Sequence, residues 1–457
     1  MTFKDEKHAV IGMGKTGLSI VRFLQEKGVK CVGFDEHLKK KSMASLNIES
    51  LVCHAGKLAD DALLSFDAIW VSPGIPYHHP ALAAARQAGI PVEGDLTLFL
   101  QHCDAPILAI TGTNGKTTTT QTIHTLLETL SGGCDVGGNI GMPMLDLLAA
   151  PHPSARIALE LSSFQLERCS HIHPQWAVLL NVQADHADMH DSPQTYCDAK
   201  LTLFKHQSKG DTAMIPTGEL WDSLSHDLLA REVTVHRFGH VFSLTDCKPL
   251  STGMVSDDTT HTLFWSVNGQ HQTMDCKHIP TRGLHQHINL AIAAQAASDF
   301  GVSQQVIREA ISSFRGLPHR LRLIGEVMEH TWFDDSKATN PAAANAALSS
   351  FEKVIWICGG LLKGLDLDEM TELVKKHVNY AVIIGKHPEP YIRLMQQAGV
   401  NYTVANVMKR AVHCAAEHQE KLPVLLSPAA ASMDQFKNYA ERGKAFQEAI
   451  AELSNKA

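Results

Sequence analysis

One segment constrains this chain more than any other: ILAITGTNGKTTTTQTIHTLLETL, residues 107–130. An apolar strand pattern runs into a Gly/Thr loop and then into a helix-period run. Backbone N–H groups at such a helix start point at anions, and the helix dipole favours negative charge there. Lys116 can reach the β- and γ-phosphates of a nucleotide, and the Thr117 hydroxyl can ligate Mg²⁺. Gly112, Thr113, Asn114, Gly115, Lys116, Thr117 and Thr118 are therefore the candidate ATP-binding loop. The generic phosphate-loop pattern wants a further glycine where Ile110 stands, so a subfamily variant is expected rather than an ordinary nucleoside triphosphatase. The plain alternative is a tight strand–helix turn with a solvated lysine.

A second Gly-rich turn, GMGKTG at Gly12–Gly17, also lies between a strand pattern and a helix pattern, and Asp35 closes the next strand. Alone, this meets the dinucleotide fingerprint and suggests NAD. The turn requires only a diphosphate, however, and other nucleotides carry one. Ser72, Pro73 and Gly74 close another strand on the same carboxyl edge, where open α/β sheets bind ligands.

These turns sit in a chain of 457 residues, which at about 100–200 residues per domain means two to four domains. Short β-rich runs alternate with longer helix-period runs, so the fold class is α/β with mainly parallel sheets. Three blocks separate at 1–95, 96–317 and 318–457. In the first, HAVIG, KCVGFD, AIWVS and IPVEGD read as strands and GLSIVRFLQEKG and HPALAAARQAG as helices. The second continues from the phosphate loop through ARIALELS and AVLLN. It then changes, over about 211–275, to short alternating runs such as VTVHRFG and HTLFWSVNG that read as an antiparallel elaboration. The third holds VIWIC, AVIIG and PVLLS as strands and ends on a helix read from DQFKNYAERG onward, which makes a second doubly wound unit.

Composition excludes several classes. Net charge is −8 with both signs interspersed, which leaves no footprint for nucleic acid. The opening MTFKDEKHAVIG has no signal-peptide core, and no apolar run of about 18 residues occurs, so a cytoplasmic chain without a membrane span is expected. Ten cysteines are scattered without a CxxC pair, which reads as reduced thiols, and 27 histidines show no zinc spacing.

An acidic and histidine set follows the phosphate loop. Glu160 ends the strand pattern IALE, and Asp185, His186 and Asp188 follow the next one. Both would lie on the phosphate-loop side of a parallel sheet, where oxygen donors suit Mg²⁺. His190, four residues beyond His186, reads as structural or exposed. Lys200, on a helix pattern, would by itself be a solvated lysine.

The sequence resembles the Mur ligases, the peptide-adding enzymes of peptidoglycan synthesis, over essentially its whole length. The matching segments are TGTNGKTT, GGNIG, LELSSFQLE, NVQADHADMH, AKLTLF, GLPHR, DDSKATNP, GGLLKG and LSPAAASMDQFKNYAERG. The last three resemble the D-glutamate-adding branch most. The resemblance implies an N-terminal Rossmann-like UDP-sugar domain, a central P-loop ATPase domain and a C-terminal Rossmann-like amino-acid domain. It implies ATP, two Mg²⁺ ions and a carbamate on Lys200, with Thr117, Glu160, His186 and Lys200 around the metals. Lys116, His186 and Lys200 would be the catalytic set, His186 as metal ligand rather than base. Gly14, Lys15, Thr16, Asp35, Gly74 and Asn139 would hold the UDP-sugar. Asn289, Arg320, Asp335 and Lys337 would join the ATP site, and Thr339, Lys363, Ser432 and Tyr439 would form the amino-acid pocket. Three departures stand out. Gln286 follows His285 where the family has Asn, Tyr439 replaces a common Phe, and the His186–Lys200 spacing is one residue short.

The implied reaction joins D-glutamate to UDP-N-acetylmuramoyl-L-alanine through an acyl phosphate, by a monomer acting on small-molecule substrates. Folylpolyglutamate synthase resembles the later blocks but would not need the GMGKTG block. A non-catalytic nucleotide-binding regulator would not need a second metal, and an NAD oxidoreductase leaves the phosphate loop unexplained.

Overall fold

Near-continuous apolar strands, buried on both faces, are what a parallel sheet covered by helices requires. Each sheet of this chain is built on such a run. The computed structural model describes residues 6–38, 51–149, 154–183, 192–242, 251–256 and 261–454. The chain divides into two compact units, 1–182 with 189–238, and 183–188 with 239–457. Among the described residues no helix is long and apolar enough to cross a membrane.

The first unit opens with β1 (Lys7–Ile11), α1 (Lys15–Glu26), β2 (Lys30–Asp35), β3 (Val52–Ala55), β4 (Ala68–Val71), α2 (Pro80–Gln87), β5 (Val92–Gly94) and α3 (Asp95–Leu100). The strand order is β3-β2-β1-β4-β5, parallel throughout. The chain winds outward from β1 to β3 and then returns to β4 on the other side of β1. The order therefore reverses between β1 and β4, and ligands bind at such a switch point. Strand β3 escaped the sequence reading because VCHA is short and mostly exposed.

The second sheet follows with β6 (Ile107–Thr111), α4 (Lys116–Leu127), β7 (Asp135–Gly138), α5 (Met144–Leu147), β8 (Ile157–Glu160), α6 (Ser163–Glu167) and β9 (Trp176–Leu179). It continues through α7 (Pro193–Leu201), β10 (Thr212–Pro216), α8 (Asp222–Ala230) and β11 (Thr234–Val241). Strand β6 is buried at every position and lies between β8 and β9. Strand β11 pairs parallel with β10, not antiparallel as the alternating VTVHRFG pattern suggested. Alternation reports one wet face; the crossover helix α8 is what sets the direction.

The second unit holds the antiparallel meander β12 (Thr252–Ser256), β13 (His261–Val267) and β14 (Gln270–Asp275), on which α9 (Leu284–Asp299) packs, followed by α10 (Gln304–Ser313). Then come β15 (Arg322–Val327), β16 (His330–Asp334), α11 (Pro341–Leu348), β17 (Val354–Cys358), α12 (Thr371–His377) and β18 (Val378–Ile384). The chain ends with α13 (Glu389–Ala398), β19 (Asn401–Asn406), α14 (Met408–Ala416), β20 (Val424–Leu426) and α15 (Tyr439–Ser454). The order is β15-β16-β20-β17-β18-β19. Only β15 runs antiparallel, and its pairing with β16 shifts register between Leu323 and Gly325. The β15–β16 hairpin and β19 are additions to the three strands read from sequence. Helix α15 begins at Tyr439, later than the DQFKNYAERG reading placed it.

Two buried charged residues organise the carboxyl edge of this last sheet. Arg442, 1% exposed, donates to the carbonyls of Ser336 and Ala430 at 2.8 and 2.9 Å. Asp335 is also buried and accepts from Leu321 N at 3.0 Å and from Ser427 Oγ at 2.8 Å. Burial pushes its carboxyl from an ordinary 3.8 up to about 7, against the pull of those hydrogen bonds. Between those values the folded chain keeps a proton that the unfolded chain has lost, so this group's contribution to stability falls as pH rises from 3.8 to about 7. Asp335→Asn cannot ionise. Its melting temperature relative to wild type should therefore climb between about pH 4 and about pH 8. Calorimetric scans across that range check this, and a constant difference would refute the assignment.

Candidate functional site

The phosphate loop is shaped by close backbone approach. Gly112 has φ +152°, and a Cβ there would lie 2.9 Å from the Leu180 Cβ, so a side chain is excluded on both counts. Asn181, just past β9, clamps the loop. Its carbonyl accepts from Thr113 N at 3.0 Å, its Oδ1 accepts from Asn114 N at 2.9 Å, and its Nδ2 donates to Asn114 O at 3.0 Å. Helix α4 starts at Lys116 after a left-handed Gly115, with no side-chain cap. Thr117 and Thr118 fill its first turn, half-buried and buried respectively.

Two lysines converge on one acceptor. Lys116 Nζ donates to Gly112 O at 2.8 Å and to Thr113 O at 2.9 Å. Lys200 Nζ, on α7, donates to the same Gly112 oxygen at 3.0 Å and is 1% exposed. Tyr196, one helical turn earlier, shares a 3.1 Å hydrogen bond with Thr113 Oγ1 and places its ring 4.5 Å from the Lys200 ammonium. Helix α7 thus grips two successive loop residues. Sequence reading missed Asn181 and Tyr196.

Glu160 ends β8, the strand beside β6, and is 2% exposed. Its Oε1 accepts from Asn139 Nδ2 at 3.0 Å, and its backbone carbonyl from Asn139 N at 2.8 Å. Among the described residues, its Oε2 is buried without a hydrogen-bond partner. An orphaned carboxylate oxygen fits a cation, because a buried unpaired anion is costly. Asp185, His186, Asp188 and His190 lie outside the described residues. Among the described residues no cluster of three or more His, Cys, Asp or Glu side chains forms a metal cage.

At the first-sheet switch point, Ser72 Oγ donates to Gly12 O at 2.7 Å, and Ser72 N to Ile11 O at 2.9 Å. The Asp35 carboxylate accepts from Met13 N and from His37 N, both at 2.8 Å. A Cβ on Gly17 would collide with the Gly12 carbonyl, so only glycine fits that position. Gly14 and Lys15 are exposed and Thr16 half-buried at an α1 start without a side-chain cap, and Gly74 is exposed across the switch point.

In the second unit, β16, β20 and β17 are adjacent and parallel. The loops after them therefore emerge at one edge, carrying Asp335, Lys337 and Thr339, then Ser432, then Lys363. Ser432 is buried, Thr339 half-buried and Lys363 exposed with φ +54°. Tyr439 opens α15, and its ring lies 3.9 Å from the Lys337 ammonium. Arg320 is close enough to Asp335 to oppose the upward push on its carboxyl. Asn289 is buried in α9, near the buried Gln286, whose Oε1 has no partner among the described residues.

Three family descriptions match the chain: "Mur ligase MurD-like, N-terminal domain" over 6–94, "Mur ligase middle domain" over 110–297 and "Mur ligase, glutamate ligase domain" over 319–455. The UDP-N-acetylmuramoylalanine--D-glutamate ligase of Caulobacter vibrioides is 34% identical, covering 99% of this chain and 97% of that protein. The ligase of the same name from Trichlorobacter lovleyi is 33% identical, covering 99% of this chain and 100% of that protein. Among solved structures, the MurF ligase of Thermotoga maritima in complex with ADP has a TM-score of 0.62 at 15% identity. It covers 99% of this chain and 97% of that chain, which shows a common fold. On its domain matches and its full-length relatives, the chain belongs to the Mur ligase family, on the MurD-like branch.

Proposed function

We propose that the chain is a cytoplasmic, monomeric ATP-dependent ligase that joins D-glutamate to UDP-N-acetylmuramoyl-L-alanine through an acyl phosphate, in peptidoglycan precursor synthesis. The observation that carries this reading is the presence of two diphosphate-type turns on two sheets of the first unit. One, at Gly112–Thr118, suits ATP; the other, at Gly12–Gly17, suits a nucleotide-sugar. A simple ATPase or an NAD enzyme needs only one. Chain-long likeness to ligases of that name supports the choice of substrates.

The substrate carboxylate attacks the γ-phosphorus of ATP. Catalysis of this step is mainly positioning and electrostatic stabilisation. The α4 amides hold the phosphates, and Lys116 exchanges its loop carbonyls for phosphate oxygens. The amine of D-glutamate then attacks the acyl phosphate and phosphate leaves. Thr117, Glu160, His186 and a carbamate on Lys200 would hold two Mg²⁺ ions, which neutralise phosphate charge when bound. A carbamate turns Lys200 from a donor to Gly112 O into an anionic oxygen ligand. Thr339, Ser432 and Lys363 would offer two hydroxyls and an ammonium, with Tyr439 as the aromatic of the pocket, which suits the two carboxylates of D-glutamate and leaves its amine unbonded.

Lys116→Ala should cut turnover by roughly a hundredfold or more, the scale of losing one preorganised donor, in a variant that keeps the wild-type melting temperature. Phosphate release measured with all three substrates checks it, and near-normal turnover would sink the ATP assignment. Lys200→Ala should abolish ligation, with partial recovery in millimolar formate or acetate, which supply the missing oxygens. Full activity without added acid would count against the carbamate. Lys363→Ala should raise the KM for D-glutamate far more than that for ATP. A rise confined to ATP would move Lys363 out of the amino-acid pocket.

A further inference from the structure

The helix that follows Glu160 ends on a buried cation that the reaction does not use. Helix α6 is closed at its start by a capping box, in which Gln165 N donates to Ser162 Oγ and Ser162 N to Gln165 Oε1, and Arg168 is its C-cap. Arg168 is 3% exposed. Its guanidinium reaches the first sheet, where Nη1 donates to Ser72 O at 3.1 Å and Nη2 donates to Ile75 O. The first sheet answers on the same residue. Gly94 N donates to Arg168 O at 3.3 Å, and Thr97 Oγ1 lies 3.4 Å from that oxygen.

The carbonyls that Arg168 takes belong to the loop after β4, on one side of the switch point. That loop in turn holds the Gly-rich turn on the other side, through the Ser72 Oγ bond to Gly12 O. A guanidinium that donates from two nitrogens fixes orientation as well as position, which a single ammonium does not. The charge is balanced locally. Glu167 and then Asp95, 3% exposed at the start of α3, favour the Arg168 cation against burial and Arg86, and the cation favours the Asp95 carboxylate. Burial lowers the Arg168 guanidinium to about 10 and raises the Asp95 carboxyl to about 6, so both are ionised at neutral pH. A buried pair of this kind is weak evidence for added stability. Its location at a ligand-binding edge is the more informative fact.

We propose that Arg168 is a positioning residue for the nucleotide-sugar: from the end of α6 it sets the Ser72–Ile75 loop against the Gly12–Gly17 turn, and so sets affinity for the uridine nucleotide without touching it. This rests on the reading of that turn as the nucleotide-sugar site. Helix α6 then links two substrates mechanically, since it begins beside Glu160 in the ATP sheet and ends on the loop that frames the other turn.

The test is steady-state kinetics on the full chain, with UDP-N-acetylmuramoyl-L-alanine, ATP and D-glutamate varied in turn, for wild type, Arg168→Met, Arg168→Lys and Ser72→Ala. Arg168→Met should raise the KM for the nucleotide-sugar about tenfold, the scale of losing charged hydrogen bonds, with kcat and the other two KM values within about twofold. Arg168→Lys, which keeps the charge but not the planar two-nitrogen fork, should recover part of that loss. Ser72→Ala removes only the bond to Gly12 O and should move the same KM alone; it and Arg168→Lys decide the matter if Arg168→Met does not fold. An unchanged nucleotide-sugar KM in the folded variants, or an equal rise for all three substrates, would overturn the proposal while the wild-type enzyme still saturates with its substrate. A wild type whose turnover does not depend on the nucleotide-sugar would instead overturn the substrate reading and the inference with it.

Discussion

Two ammonium groups share the carbonyl of Gly112, and much of the first unit is arranged to make that possible. Bringing Lys200 there requires α7 to lie against the loop, which Tyr196 secures through Thr113. Letting that oxygen face both lysines requires a backbone conformation open only to glycine. Holding the loop falls to Asn181, which engages Thr113 and Asn114. Lys116 is folded back on its own loop, donating to the carbonyls of Gly112 and Thr113.

Three sheets repeat one solution to the problem of presenting polar groups from an apolar core. A parallel strand buried on both faces can offer chemistry only at its end. Gly12 after β1, Gly112 after β6 and Asp335 after β16 all occupy that position. Neighbouring strand ends supply the supporting contacts: Ser72 beside Gly12, Asn181 around Gly112, Ser427 beside Asp335. The support always comes from a segment remote in sequence, because parallel neighbours are joined by crossovers.

That remoteness explains what was legible in the chain. The phosphate loop could be read because strand, loop and helix are contiguous, so its Lys and Thr take their places from local sequence alone. Asn181 could not, since its contacts span 67 residues and depend on β9 lying beside β6. Arg168 could not be read either, since the carbonyls it serves, of Ser72 and Ile75, lie 96 and 93 residues away. Strand direction failed at β11 because alternation records burial and says nothing of direction, and β3 failed because an exposed edge strand carries little apolar signal. Asp335, Lys363 and Ser432 were visible only through resemblance to a family; their convergence follows from the adjacency of β16, β20 and β17.

The irregular pairing of β15 bears on a different matter, the behaviour of the sheet's free edge. A parallel sheet ending on a flat, apolar strand offers an unpaired ladder to any other chain. Here the outermost strand is turned antiparallel, shifts register between Leu323 and Gly325, and begins with the exposed Arg322. A second copy adding a strand at that edge would have to straighten the irregularity and cover an arginine. The hairpin thereby blunts one route to self-association through the sheet, and it does so without drawing on Asp335, Ser432 or Lys363 at the carboxyl ends of the parallel strands.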